Sequence, residues 1–218
     1  MACLEFIAGS LAAFVAIASA VLFWPPARDK FFTTALWPWS LPWDTDEHEL
    51  AAVKALAQPG DVLVESNLHG WQWIALCLAT TRTSWVHAAI VDNNKQLLTV
   101  HKEALETDWS LYIEWRSTRL ALIRPPYESE SQKQAALSHA RRSLGTPYDP
   151  SFKNHNGNCN GLVGNSLAQA GLPPETLSFL GRELYPANCF FELPGAQLIW
   201  SSDDFRKLTE KVRQELRS

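Results

Sequence analysis

A single cysteine, Cys159, stands between two asparagines in the stretch NHNGNCNGLVGNSLAQAGL, residues 154 to 172. Apolar periodicity starts at Leu162 and closes at Gly171, a residue type favoured just past a helix end, so the spacing predicts a helix with Cys159 in its first turn. There the helix dipole and the unpaired N–H groups favour an anion, which predicts a thiol pKa below the ordinary value. The same N–H groups, with side-chain donation from Asn158 or Asn160, could hold the oxyanion formed when a thiolate attacks a carbonyl.

A thiolate nucleophile needs a base within hydrogen-bond reach. His87 interrupts the apolar run WVHAAIV, where a polar ring has to be engaged by something; satisfaction by backbone groups is the plain structural alternative to catalysis. Turn chemistry at Asp92 to Lys95 leads into QLLTVHKE, which predicts a β-hairpin and brings His101 onto the neighbouring strand. His101 is therefore a candidate to orient His87 as the third group of a triad. Glu103, two residues on and on the same strand face, competes for that role. His155, four residues before Cys159, could reach the thiol from the loop or form an H-x3-C half of a metal site, but no second half-site with ligand spacing follows. His48, His69 and His139 fall in polar or helical surface settings. Ser166 lacks G-x-S-x-G surroundings, and no glycine-rich loop ends in Gly-Lys-Ser/Thr. The four cysteines, Cys3, Cys77, Cys159 and Cys189, show neither disulfide-framework nor zinc spacing, and Cys77 reads as a small buried hydrophobe. No metal and no cofactor is predicted.

The elements that must position these residues follow from periodicity. ELAAVKALA predicts a short helix ending at Pro59-Gly60, DVLVES a strand, and GWQWIALCLATT from Gly70 an apolar helix. After the hairpin, LYIEW and RLALIRPP read as strands. SESQKQAALSHARRSL reads as an amphipathic helix, acidic at its start and basic at its end. Beyond the cysteine helix, PPETLSFLGREL predicts a short helix, AQLIW a strand and SSDDFRKLTEKVRQELRS an exposed C-terminal helix. The order predicts an α+β domain with a central antiparallel sheet flanked by helices.

From Phe6 to Trp24 no charged residue occurs, a length that spans a hydrocarbon core of ~30 Å as a helix, and Pro25-Pro26 ends it. The basic n-region of a cleaved signal peptide is missing, which favours a retained membrane helix. Residues 1–30 thus read as a transmembrane or signal-anchor segment, 31–49 as an aromatic juxtamembrane linker carrying Trp37, Trp39 and Trp43, and 50–218 as the catalytic domain. The expectation is a membrane-associated protein with one N-terminal span and its orientation open. A net charge of -4 and a pI near 5.9 exclude a basic field for nucleic acid.

QPGDVLVES (58–66), SWVHAAIV (84–91), the strand ending in His101, GTPYDPSF (145–152) and NCNGLV (158–163) resemble, in this order, the circularly permuted NlpC/P60 papain-like proteins. The YiiX/YebB-like and lecithin:retinol acyltransferase-like branches are nearest, over about residues 56 to 172. The resemblance implies a permuted papain-like fold with Cys159 as nucleophile, His87 as general base, His101 as the orienting third residue and Tyr148 near the site. Two departures stand out: HAAI replaces the usual glycine after the histidine, and asparagine follows the cysteine where serine is frequent. The activity implied is acyl transfer through a thioester. It would be an amidase or endopeptidase on peptidoglycan peptides, a reading that an antibacterial effector also fits, or else a lipid or lipoprotein acyl hydrolase or acyltransferase. The alternative of another class is a non-catalytic, membrane-anchored binding module.

Overall fold

The computed structural model describes residues 44–67, 84–179 and 181–215. The expected N-terminal span, most of the aromatic linker, the helix expected from Gly70, and Cys3, His69 and Cys77 lie outside the described residues. Among the described residues no helix is long and apolar enough to cross a membrane.

Apolar runs without clean alternation build strands covered on both faces. The elements are α1 (Glu47–Leu56), β1 (Val62–Ser66), β2 (His87–Val91), β3 (Leu97–Val100), β4 (Ala104–Thr107), α2 (Leu111–Glu114), β5 (Arg119–Arg124) and α3 (Glu130–Arg142). There follow α4 (Cys159–Gln169), β6 (Leu177–Phe179), β7 (Arg182–Leu184), β8 (Gln197–Ser201) and α5 (Ser202–Glu215), with short 3-10 turns at His155–Gly157 and Ala187–Phe190. Six strands form one antiparallel sheet in the order β4-β3-β2-β1-β5-β8. The fold is thus α+β, a central antiparallel sheet flanked by helices.

Strand parity divides the core. Val62, Val64, Ala88, Ile90 and Leu98 face Ala136, Leu137 and Ala140 of α3 and Leu162, Val163 and Leu167 of α4. Leu63, Ala89, Val91, Leu97, Leu120 and Leu122 face Leu50 and Val53 of α1, and Trp109 and Tyr112 around α2. Burying one such aliphatic side chain is worth about 1.5–3 kcal/mol, so the two layers fix the register of β1 to β3 firmly. The β2–β3 turn is held by Asp92, whose Oδ1 accepts from the N–H groups of Asn94 (2.8 Å) and Gln96 (2.7 Å) and whose Oδ2 meets Arg141 at 2.6 Å.

Two local expectations are overturned. LYIEW forms the single turn of α2: its apolar positions fit either period over five residues, and Asp108 Oδ1, accepting from the Ser110 N–H at 2.9 Å, starts the turn. PPETLSFLGREL holds the β6–β7 hairpin, whose turn uses Gly181 at φ +72, a conformation glycine adopts without strain.

Candidate active site

Cys159 is the first residue of α4. Asn158, buried, caps that helix, its Oδ1 accepting from the Gly161 N–H at 2.7 Å. Gly161 is required by the close approach of the preceding turn, because a Cβ there would collide with the His155 carbonyl. The loop before it is organised by Asp149, whose carboxylate accepts from the N–H groups of Ser151 (2.8 Å), Lys153 (2.9 Å) and Asn154 (2.7 Å). Burial works against the ionised Asp149, and these hydrogen bonds outweigh it, so its pKa lies below the ordinary value. The sulfur of Cys159, half-buried, donates to Asn160 Oδ1 at 3.8 Å, and the backbone amide of Ala88 lies close enough to favour the anion.

The thiol nevertheless departs from the expectation of a lowered pKa. Burial pushes it up to about 11, more than the amides of Ala88, Asn160 and Cys159 itself pull it down, and the nearby Glu65 adds to the rise. A helix N-terminus favours the thiolate, but desolvation of the charge is the larger effect here.

His87 opens β2 and points to the face that carries α2. Its ring lies edge-on to Trp115, centroids 5.2 Å apart, and 6.3 Å from the ring of Tyr112. Its Nε2 is 2.8 Å from Thr99 Oγ1, and the same hydroxyl donates to the Ala88 carbonyl at 2.8 Å. A hydroxyl has one hydrogen, and that hydrogen is committed to Ala88. Thr99 therefore accepts from His87, which assigns the ring the Nε2–H tautomer and leaves Nδ1 with a free lone pair. Burial first, and then the neighbouring His101, push the His87 pKa down to about 3, so the imidazole is neutral. Among the described residues no hydrogen bond joins the ring to Cys159. Each of the two groups is neutral, and both adjoin Ala88: His87 precedes it in β2, and its backbone amide acts on the Cys159 sulfur.

The other expected site residues fall as follows. His101 lies one residue past β3, packed on Trp115 with ring centroids 5.0 Å apart. It would face His87 if the β2–β3 ladder continued, but the register ends at Ile90↔Leu98, and Thr99 reaches Nε2 instead. Glu103 is exposed and its backbone bridges to Pro147. Tyr148 packs against the α4-side core, its N–H donating to the Lys102 carbonyl at 2.9 Å. His155 stacks edge-on to Tyr185 at 5.6 Å.

Two residues of the site went unnoticed in the sequence. One is Thr99; the other is Glu65, buried, directly opposite His87 in the β1–β2 register. Its Oε1 accepts from Ser117 Oγ at 2.5 Å and from Asn67 Nδ2 at 3.4 Å. Burial pushes its pKa up to about 7, against those two hydrogen bonds. The signal was present: a charged residue inside an apolar strand, as informative in DVLVES as the histidine in WVHAAIV.

The fold is similar to that of YiiX. A solved structure described as the metalloprotein YiiX from Escherichia coli O157:H7, DUF1105, superposes with a TM-score of 0.56 at 20% identity, over 66% of this chain and 97% of that one. No protein-family model matches the chain, and no curated protein matches it in sequence. The neighbour's description raises the question of a metal. Among the described residues no three His, Cys, Asp or Glu side chains gather in a group able to hold one, and His87 Nε2 is already occupied by Thr99. The donor set of the described residues does not fit a resident metal ion.

Proposed function

We propose that this chain is a cysteine hydrolase of the permuted NlpC/P60 papain-like type, acting on an amide through a thioester acyl-enzyme. The observation that carries the proposal is the state of His87: Nε2–H is held by Thr99, and Nδ1 is left as a free base at the residue adjoining Ala88, whose amide faces the Cys159 sulfur. The YiiX-like fold and the order of the sequence motifs support it.

In this mechanism the Cys159 sulfur bonds to the substrate carbonyl carbon as its proton passes to His87 Nδ1, and the carbonyl π-pair becomes an oxyanion at the start of α4. Collapse breaks the C–N bond, and His87 returns the proton to the departing amine. Water then attacks the thioester with His87 again taking a proton, the C–S bond breaks with its electron pair going to sulfur, His87 returns the proton to that sulfur, and the carboxylic acid leaves with the Cys159 thiol restored. Because thiol and imidazole are both neutral at rest, proton transfer and attack are coupled rather than sequential. Thr99 orients the base, and His101, packed on Trp115, confines the ring's surroundings.

The substrate class follows from the family resemblance: peptide amides of the cell wall, reached from a membrane by the expected N-terminal helix, with no nucleic-acid partner expected from the acidic charge. The test is to trap the acyl-enzyme from a cell extract and weigh the adduct on Cys159, with Cys159→Ala as control. A muropeptide fragment supports the amidase reading. A fatty acyl adduct replaces it with lipid acyl hydrolysis or transfer, and no adduct on Cys159 refutes the enzyme.

A further inference from the structure

Resting on the reading of Cys159 and His87 as nucleophile and base, we propose that Glu65 is a positioning residue whose carboxylate stabilises the imidazolium that forms when His87 takes the Cys159 proton. Glu65 and His87 are register partners on adjacent antiparallel strands, so their side chains leave the same face of the sheet with Cβ atoms about 5 Å apart. Thr99, the hydrogen-bond partner of His87, is a neutral hydroxyl; it orients the ring but brings no charge to balance a buried cation. Among the described residues, the hydrogen bonds to Glu65, from Ser117 and Asn67, both land on Oε1.

Among the described residues, the groups around the carboxylate leave His87 as its natural partner. From β2 it faces His87; from the α2 segment Tyr112 and Ser117; from its own strand end Asn67; from β5 Leu120; and the Cys159 thiol of α4 lies within electrostatic reach. Arg116, next to Ser117, is paired with Asp44 at 3.3 Å, and Arg119 pairs with Asp203 at 2.6 Å. Buried near neutrality, the Glu65 carboxyl is poised to lose its proton around pH 7, and only the ionised form supports an imidazolium.

The experiment measures acetylation of Cys159 by p-nitrophenyl acetate, read by mass, between pH 5 and 9. Wild-type protein is expected to show a rate that rises through about pH 7. Glu65→Gln, which keeps the shape and loses the charge, is expected to be at least about tenfold slower at pH 8 and to lack the rise. Glu65→Asp should restore the rise in part. Ser117→Ala, removing a hydrogen bond that favours the ionised form, should move the rise to higher pH, and it tests the idea even if Glu65→Gln does not fold. Glu65→Gln with an unchanged profile, or Ser117→Ala with an unmoved one, overturns the role of Glu65 while leaving Cys159 and His87 intact. If His87→Ala is acetylated as fast as wild type, the base reading fails, and the role of Glu65 falls with it.

Discussion

Thr99→Val removes one oxygen and conserves shape, and it is the sharpest perturbation of the site. The Thr99 hydroxyl serves two buried groups, accepting from His87 Nε2–H and donating to the Ala88 carbonyl, each at 2.8 Å. Valine leaves both without that partner. At about 1–3 kcal/mol per buried polar group left unpaired, and with the two groups adjacent and not additive, the expected destabilisation is about 2–4 kcal/mol. The catalytic effect has a separate origin. Without an acceptor at Nε2 the ring is no longer held in the tautomer that presents Nδ1 as the base, and losing one orienting hydrogen bond worth about 1–3 kcal/mol corresponds to about a 5- to 150-fold slower acylation of Cys159. A long-range proton–nitrogen NMR spectrum resolved for His87 reads the tautomer directly, and denaturant unfolding reads the stability. Thr99→Ser should recover both, since it restores the hydroxyl. A native His87 carrying its proton on Nδ1 would refute the assignment outright. So would a Thr99→Val protein that keeps the wild-type tautomer and acylation rate.

Alkylation of Cys159 by iodoacetamide, which forms no tetrahedral oxyanion, should follow a thiol pKa of about 11; a plateau reached by pH 8.5 would show a preformed thiolate. Asn158→Ala should cost about 1 kcal/mol through the lost cap of α4 and Asn158→Asp much less, as measured by thermal unfolding. Asp92→Ala should cost about 2–3 kcal/mol, because two turn N–H groups and the partly exposed Arg141 lose a buried carboxylate. Glu65→Gln should stabilise the fold at pH 8 and not at pH 4.5. The raised carboxyl pKa means that the folded state holds its proton more tightly than the unfolded chain, so Glu65 costs stability as pH rises from the ordinary value of 4.5 through about 7, by up to about 3 kcal/mol. Unfolding curves at the two pH values decide it.

Most of the sheet could be read from local pattern, since DVLVES, WVHAAIV, QLLTVHKE and RLALIRPP all carry strands where β-branched apolar runs predict them. The helix beginning at Cys159 was equally readable from its apolar spacing and closing glycine. The failures are where period is undersampled: LYIEW offers five residues, and the LSF and REL strands of the β6–β7 hairpin only three each. The partner of His87 illustrates a different limit. Hairpin pairing places the partner of His87 on β3, but whether residue 99 or 101 reaches the ring depends on where the ladder ends; it stops at Ile90↔Leu98, with the Thr99 hydroxyl donating to the Ala88 carbonyl.

The charge state of the site shows why position along the chain was a poor guide to its chemistry. The helix dipole is a local property, visible in the sequence as soon as Cys159 is placed at an N-terminus, and it argues for a thiolate. Desolvation is not local: it comes from β2, the cores on both faces of the sheet and the aromatic rings of Tyr112 and Trp115, brought together only by folding. It acts on both partners in the same sense, raising the thiol to about 11 and lowering the imidazole to about 3, so that an ion pair is disfavoured from each end. In the proposed mechanism such a site keeps the Cys159 thiol protonated until a substrate arrives. The proton can then move only if the emerging imidazolium finds a countercharge, and across the β1–β2 ladder the residue in place to supply it is Glu65.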